Sequence, residues 1–155
     1  MNIDVGTVVR WNNFPLPKYG EEKKPRWFIC IGFTGIFAQV AEVYFCTTTA
    51  QIDKFNSGGI REKRDHYIFQ TNHPKYSMFD ENCIIDFEEK PYVVTKNKLN
   101  YHQNDIEIRG ELDEQTLRMI YNCILKSNRR LSLMEKRDIH DSYNKFGITG
   151  LKKPK

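Results

Sequence analysis

The feature that most restricts this chain is a succession of short strand-like segments that comes before any stretch with helical periodicity. Residues 5–11 read as a first strand, with Val5, Thr7, Val9 and Trp11 on one face. Residues 27–33 form a continuous apolar run bounded by Pro25 and Gly35, the pattern of a buried central strand. Residues 39–48 repeat that character in Val, Tyr and Phe, and shorter segments follow at 66–70, 83–87, 92–95 and 105–109. The intervals are punctuated: fourteen residues from Asn12 to Pro25 hold three prolines and a glycine, and the polar stretch 53–65 holds Gly58-Gly59. Such an order predicts a mainly β, α+β chain built on a small antiparallel barrel or a strongly bent sheet.

Two helices are expected to close the chain. In LDEQTLRMIYNCILKS, Leu117, Ile120, Tyr121, Ile124 and Leu125 keep the spacing of a core-facing stripe. Asp113 suits the N-cap, and Leu112 with Leu117 suits a hydrophobic staple. A second helix opens on Ser132 and Glu135, spaced as a capping box, and stops at Gly147. Its apolar face (Leu133, Ile139, Tyr143, Phe146) is thin, which predicts packing at an edge or against a partner. The final LKKPK reads as a flexible basic tail. With 155 residues and neither repeat nor low-complexity linker, one domain is expected. Residues 1–126 make the barrel and its terminal helix, and 127–155 an added helix and tail.

Charge separates these two parts. From Lys126 onward there are nine Lys and Arg against three Asp and Glu, while the rest of the chain has fifteen against seventeen. The net charge of +4 therefore belongs to the C-terminal part, and a nucleic-acid site elsewhere has to be a local patch. Cys30, Cys46, Cys83 and Cys123 lie far apart among apolar neighbours, with no CxxC, and read as small buried hydrophobes in a reducing compartment. The histidines 66, 73, 102 and 140 have no metal-ligand spacing, so no metal or cofactor is expected. No apolar run is long enough to span a bilayer, and MNIDVGTVVR lacks the build of a signal peptide, which points to the cytoplasm and away from a membrane.

Phosphate-binding, nucleophile-elbow, dinucleotide and kinase signatures are absent. What remains is a polar and basic set: Lys23, Lys24, Arg26, the threonines 47–49, Gln51, and the loop residues Arg61, Lys63, Arg64 and His66. Each also fits a plainer role. The charges suit solvated loops with acidic neighbours, and the threonines suit strand positions.

The order of these residues resembles the opening half of the MazF/PemK (Kid) toxins. GTVVRWNNFPLPKYGEEKKPRWFICIG supplies a first strand beginning at Gly6, a basic residue and proline at Lys24-Pro25, and an apolar strand. VYFCTTTAQID then supplies the Thr49-Ala50-Gln51-Ile52 motif at the end of the next strand. DENCIIDFEE and DIEIRGELDEQTLRMIYNCILKS are similar to the family's last strands and terminal helix, so the likeness covers residues 4–126. It implies an SH3-like or CcdB-like barrel, usually homodimeric, acting as a metal-independent endoribonuclease on single-stranded RNA and restrained by an antitoxin protein. Members usually carry Arg directly before the proline, whereas this chain has Lys24 there and Arg26 just after.

The chemistry explains the residue types. Cleaving RNA through its own 2′-OH needs a base for that proton, an acid for the leaving 5′-oxygen, and donors for the added phosphoryl charge. A guanidinium binds two phosphate oxygens at once and never loses its charge, so Arg26, or Lys24 as a point charge, suits the last role. Thr49 can add a hydrogen bond or orient the 2′-OH. His66, His73, Asp80 and Glu81 are candidate acid–base groups. Gln51, Lys23, Arg61 and Arg64 are candidate RNA contacts, with Trp11, Phe14 and Tyr19 as platforms for unstacked bases, although the strand patterns at Trp11 and Trp27 favour packing in the barrel. The alternative is a non-catalytic barrel of the same fold that binds RNA or protein.

Overall fold

The computed structural model describes residues 1–15, 24–35 and 40–155. It contains β1 (Thr7–Trp11), β2 (Arg26–Phe33), β3 (Glu42–Thr49), β4 (His66–Phe69), β5 (Cys83–Asp86), β6 (Tyr92–Thr95) and β7 (Ile106–Glu111). The helices are α1 (Lys96–Tyr101), α2 (Glu114–Ser127) and α3 (Leu133–Phe146). Every strand pairing is antiparallel, in the order β4-β5-β3-β2-β1-β7, with β6 also on β3. The expected mainly β, α+β class with two C-terminal helices is what the chain adopts. Among the described residues β4 and β7 do not pair with each other, so the sheet stays open rather than closing into a full barrel.

β3 organises the sheet by changing partners along its length. Glu42 to Phe45 pair with β6, while Thr48 and Thr49 pair with Ile85 and Ile84 of β5. β1, β2 and β3 are apolar at successive positions because both their faces are covered. Val8, Ile29, Ile31, Tyr44 and Cys46 meet the α2 and α3 residues Leu117, Ile120, Ile124, Ile139 and Tyr143. On the reverse face Val9, Trp11, Phe28, Cys30, Val43 and Phe45 pack with Phe14, Val94, Leu99 and Ile106.

α2 and α3 begin as their sequences predict. The Asp113 carboxylate accepts the Thr116 N–H at 3.1 Å, and Ser132 with Glu135 completes a capping box. α3 lies on the β2 face rather than at an edge. A β-carbon on Gly32 would stand 3.2 Å from the Ile139 Cα, and the Phe33 N–H donates to Ser142 Oγ at 2.9 Å. Gly147 takes a left-handed φ of 110° and ends the helix.

Two differences from the sequence reading have physical reasons. α1 was not expected: it has one buried apolar residue, Leu99, and rests on the Thr95 hydroxyl, which accepts the Lys98 N–H at 3.1 Å. The C-terminal segment is docked rather than a loose tail. Ile148 and Pro154 are buried and Leu151 half-buried, a three-residue repeat hidden among the lysines. The Tyr121 hydroxyl donates to the Lys152 carbonyl at 2.5 Å, and Arg118 Nη1 to that of Thr149 at 2.7 Å.

Candidate functional site

Arg26 opens β2 and Thr49 closes β3. The β2–β3 ladder runs Cys30↔Phe45, Ile29↔Cys46, Phe28↔Thr47. Carried on by two residues, that register sets Arg26 opposite Thr49, and strand alternation puts both on the Phe28 and Thr47 face. Pairing with Trp11 fixes Arg26 from its other side, and pairing with Ile84 fixes Thr49. A guanidinium and a hydroxyl thus share one end of the sheet, both half-buried.

The three threonines differ in what their hydroxyls do. Thr47 Oγ1 donates to the Trp27 carbonyl at 3.3 Å, and the Thr48 hydroxyl bonds the Cys83 thiol. Thr49 Oγ1 accepts the Gln51 N–H at 3.1 Å, and among the described residues its own hydrogen has no acceptor. Only Thr49 combines the matching register with a hydroxyl hydrogen left to offer.

The other predicted residues scatter. Lys24 is exposed and precedes the strand, and Gln51 is exposed two residues after Thr49. Arg61 is drawn back toward this end, its N–H bonded to the Lys54 carbonyl at 2.7 Å and its guanidinium 5.9 Å from the Phe55 ring centre. Arg64 is not an open RNA contact: it holds the buried Asp86 carboxylate at 2.6 Å. Phe14 and Trp11 offer no stacking platform, because they pack edge to face 5.0 Å apart inside the core. Lys23 and Tyr19 lie outside the described residues. His66 Nδ1 faces the Arg64 carbonyl at 2.7 Å and therefore carries the proton, while His73 accepts the Lys75 N–H.

Sequence reading missed a cluster on the opposite face of the same sheet end. The Arg109 guanidinium lies 5.2 Å from the Trp27 ring centre and donates to Asp80 at 2.9 Å, while Arg10 bonds Glu107 at 3.4 Å. Arg10 opposite Trp27 follows from strand register, but Arg109 reaches them only through the pairing of β1 with β7. Asp80 is thus engaged by an arginine. The cysteines are not poised as nucleophiles: burial pushes Cys30 up to about 12 and Cys83 up to about 11, and raises Cys123. Among the described residues no group of three or more His, Cys, Asp or Glu is placed to hold a metal ion. No helix among them is long and apolar enough to cross a membrane. A cleft of about 680 Å³ lined by Phe33, Leu99, Lys96 and Asp138 lies at the far end of β2 from Arg26.

No protein-family model matches the chain, and no curated protein matches it.

Proposed function

We propose that this chain is a metal-independent endoribonuclease of the MazF/PemK kind, cutting single-stranded RNA at the β2–β3 end of the sheet. What supports this reading is that Arg26 and Thr49 each lie two residues past the Phe28–Thr47 pair that ends the β2–β3 ladder, with no acceptor for the Thr49 hydroxyl hydrogen among the described residues. The ribose 2′-oxygen attacks the adjacent phosphorus as its proton passes to a base, and the bond from phosphorus to the 5′-oxygen breaks as that oxygen takes a proton. Products are a 2′,3′-cyclic phosphate and a 5′-hydroxyl. Arg26 carries the charge that builds on the phosphoryl oxygens, and Thr49 donates to one of them or orients the 2′-OH. In this reading Arg26, which follows Pro25, takes the role that the family gives to the arginine before proline. In this reading the chain is a cytoplasmic toxin component, works as a homodimer and is restrained by an antitoxin.

A second reading is a binding module of the same fold. It is favoured by the Thr49 oxygen, which already closes a turn with the Gln51 N–H. Incubation with a long single-stranded RNA in EDTA separates the two. The nuclease reading expects cutting at a few short sequences, lost in Arg26→Ala and Thr49→Ala. Intact RNA from folded, antitoxin-free protein supports the binding module.

A further inference from the structure

We propose that the end of α2, the turn into α3 and the loop 56–64 form one basic track that holds the sugar-phosphate backbone of single-stranded RNA leading away from the Arg26–Thr49 end. The inference rests on the reading that this chain acts on RNA, and it assigns a role to the C-terminal part that the family resemblance does not cover.

One direct cross-link brings the segments together, and a second ties the end of α2 to the turn after β5. Ser127 Oγ donates to Asp65 Oδ2 at 2.5 Å, and Asn128 Nδ2 donates to the Glu89 carbonyl at 2.7 Å. Lys126, Arg129 and Arg130 therefore stand where the 56–64 loop ends. That loop starts from the site itself: Thr49 leads through Gln51 into a short turn at Ile52–Phe55, to which the Arg61 N–H is tied. Arg61 and Lys63 thus bridge the distance between Thr49 and the α2–α3 corner.

The corner is built rather than loose. Asn128 is 1% exposed, and its Oδ1 accepts the Arg130 N–H at 3.0 Å, so a buried amide pins a turn that presents two exposed arginines. Among the described residues Lys63, Lys126, Arg129, Arg130, Lys136 and Arg137 take part in no ion pair. Of the acids nearby, Asp86 is charge-paired with Arg64, while Asp65 and Glu88 keep their charge and are held in place by Ser127 Oγ and by the Asp65 N–H at 2.6 Å. With Arg64 set aside for Asp86, segments 53–65 and 126–137 together carry eight Lys and Arg against four acids. The remaining body, with no basic surplus, needs such a surface to attract a polyanion. A polymer cut at Thr49 extends away from the cut, and the anion that geometry lays along this track is its backbone.

The test uses the full chain and 2′-O-methyl RNA, which binds but is not cut, in oligonucleotides of about 6 and about 20 residues. Fluorescence anisotropy is followed over a salt series, with folding checked by thermal denaturation. Replacing Arg129→Gln and Arg130→Gln together is expected to weaken the longer oligonucleotide about tenfold or more. The same change is expected to cut its log–log salt slope by about 1.4, about 0.7 for each phosphate no longer neutralised. The shorter oligonucleotide and a Lys145→Gln control are expected to be unchanged. Equal slopes in wild type and the double variant would overturn the track, even where Arg26→Ala abolishes cleavage. The reduced slope in a protein that cuts no RNA would keep the track and remove the nuclease. Tighter binding of an acidic peptide than of RNA, lost in the double variant, would overturn the assignment to RNA.

Discussion

The β2–β3 ladder ends at Phe28–Thr47, and Arg26 and Thr49 each lie two residues past that pair, Arg26 held by Trp11 of β1 and Thr49 by Ile84 of β5. Lys24 lies outside that row. The two basic residues therefore respond differently to substitution. Arg26→Ala is expected to slow RNA cleavage about 100-fold or more, as removal of one preorganised charge donor does. Arg26→Lys keeps the charge but loses the two-pronged geometry, so it recovers only part of the rate. Lys24→Ala is expected to stay within about twofold, since it removes no donor fixed on the Arg26–Thr49 row. Initial cleavage rates of the three proteins decide it, and a larger loss at Lys24 than at Arg26 reverses the assignment.

Gly32 is a point of close approach between α3 and the sheet. A β-carbon there would meet the Ile139 Cα at 3.2 Å and Ser142 Oγ at 3.1 Å, and the first of these is backbone that cannot rotate away. Gly32→Ala is expected to cost about 1–3 kcal/mol by pushing the helix off β2. Urea denaturation measures it, and an unchanged midpoint contradicts this packing.

Acid stability has a specific contributor at the start of α2. Burial raises the Asp113 carboxyl, but the Thr116 hydroxyl and N–H and the Lys75 ammonium 3.6 Å away outweigh it and hold the group below its ordinary value. A carboxylate depressed by folding stabilises fully above its unfolded pKa of about 3.9 and loses that contribution as pH falls through the lower folded value. Asp113→Asn keeps the cap but not the charge. Its stability deficit relative to wild type is expected to shrink on acidification from about pH 5 to about pH 2. A deficit constant across that window excludes the linkage.

The last eight residues, 148–155, are expected to matter for stability. Ile148 and Pro154 are buried, and two α2 side chains bond this segment's carbonyls. Deleting them is expected to cost about 2–4 kcal/mol, chiefly from Ile148 and Leu151. Unchanged denaturation of the shortened chain would return the segment to a loose tail.

What the sequence made legible, and what it hid, follows from how far each interaction reaches along the chain. Strands such as 27–33 were readable because an apolar run buried on both faces leaves little else to be. The caps at Asp113 and Ser132 were readable because they act over three residues. α1 escaped notice because KNKLNY carries only Leu99 toward the core. Phe14 was misjudged because a ring between polar residues and Pro15 looks exposed until the Trp11 and Phe28 rings are seen to enclose it. The commitment of Arg64 to Asp86 spans 22 residues and that of Ser127 to Asp65 spans 62, and no local pattern announces either. The same limit applied to the site. Sequence offered three adjacent threonines, and only their partners across the sheet set Thr49 apart.

The central claim, cleavage through the substrate's own 2′-OH at the Arg26–Thr49 end, is met most directly by a single-nucleotide change in the RNA. A 5′-labelled RNA is cut in EDTA, its cleavage position is mapped, and the same RNA is made with one 2′-deoxyribose at that position. The account predicts that wild-type protein leaves a 2′,3′-cyclic phosphate on the natural RNA, that the deoxy-substituted RNA survives intact, and that Arg26→Ala fails on both. Cleavage of the deoxy-substituted RNA at the same position, or an unimpaired Arg26→Ala protein, would contradict it.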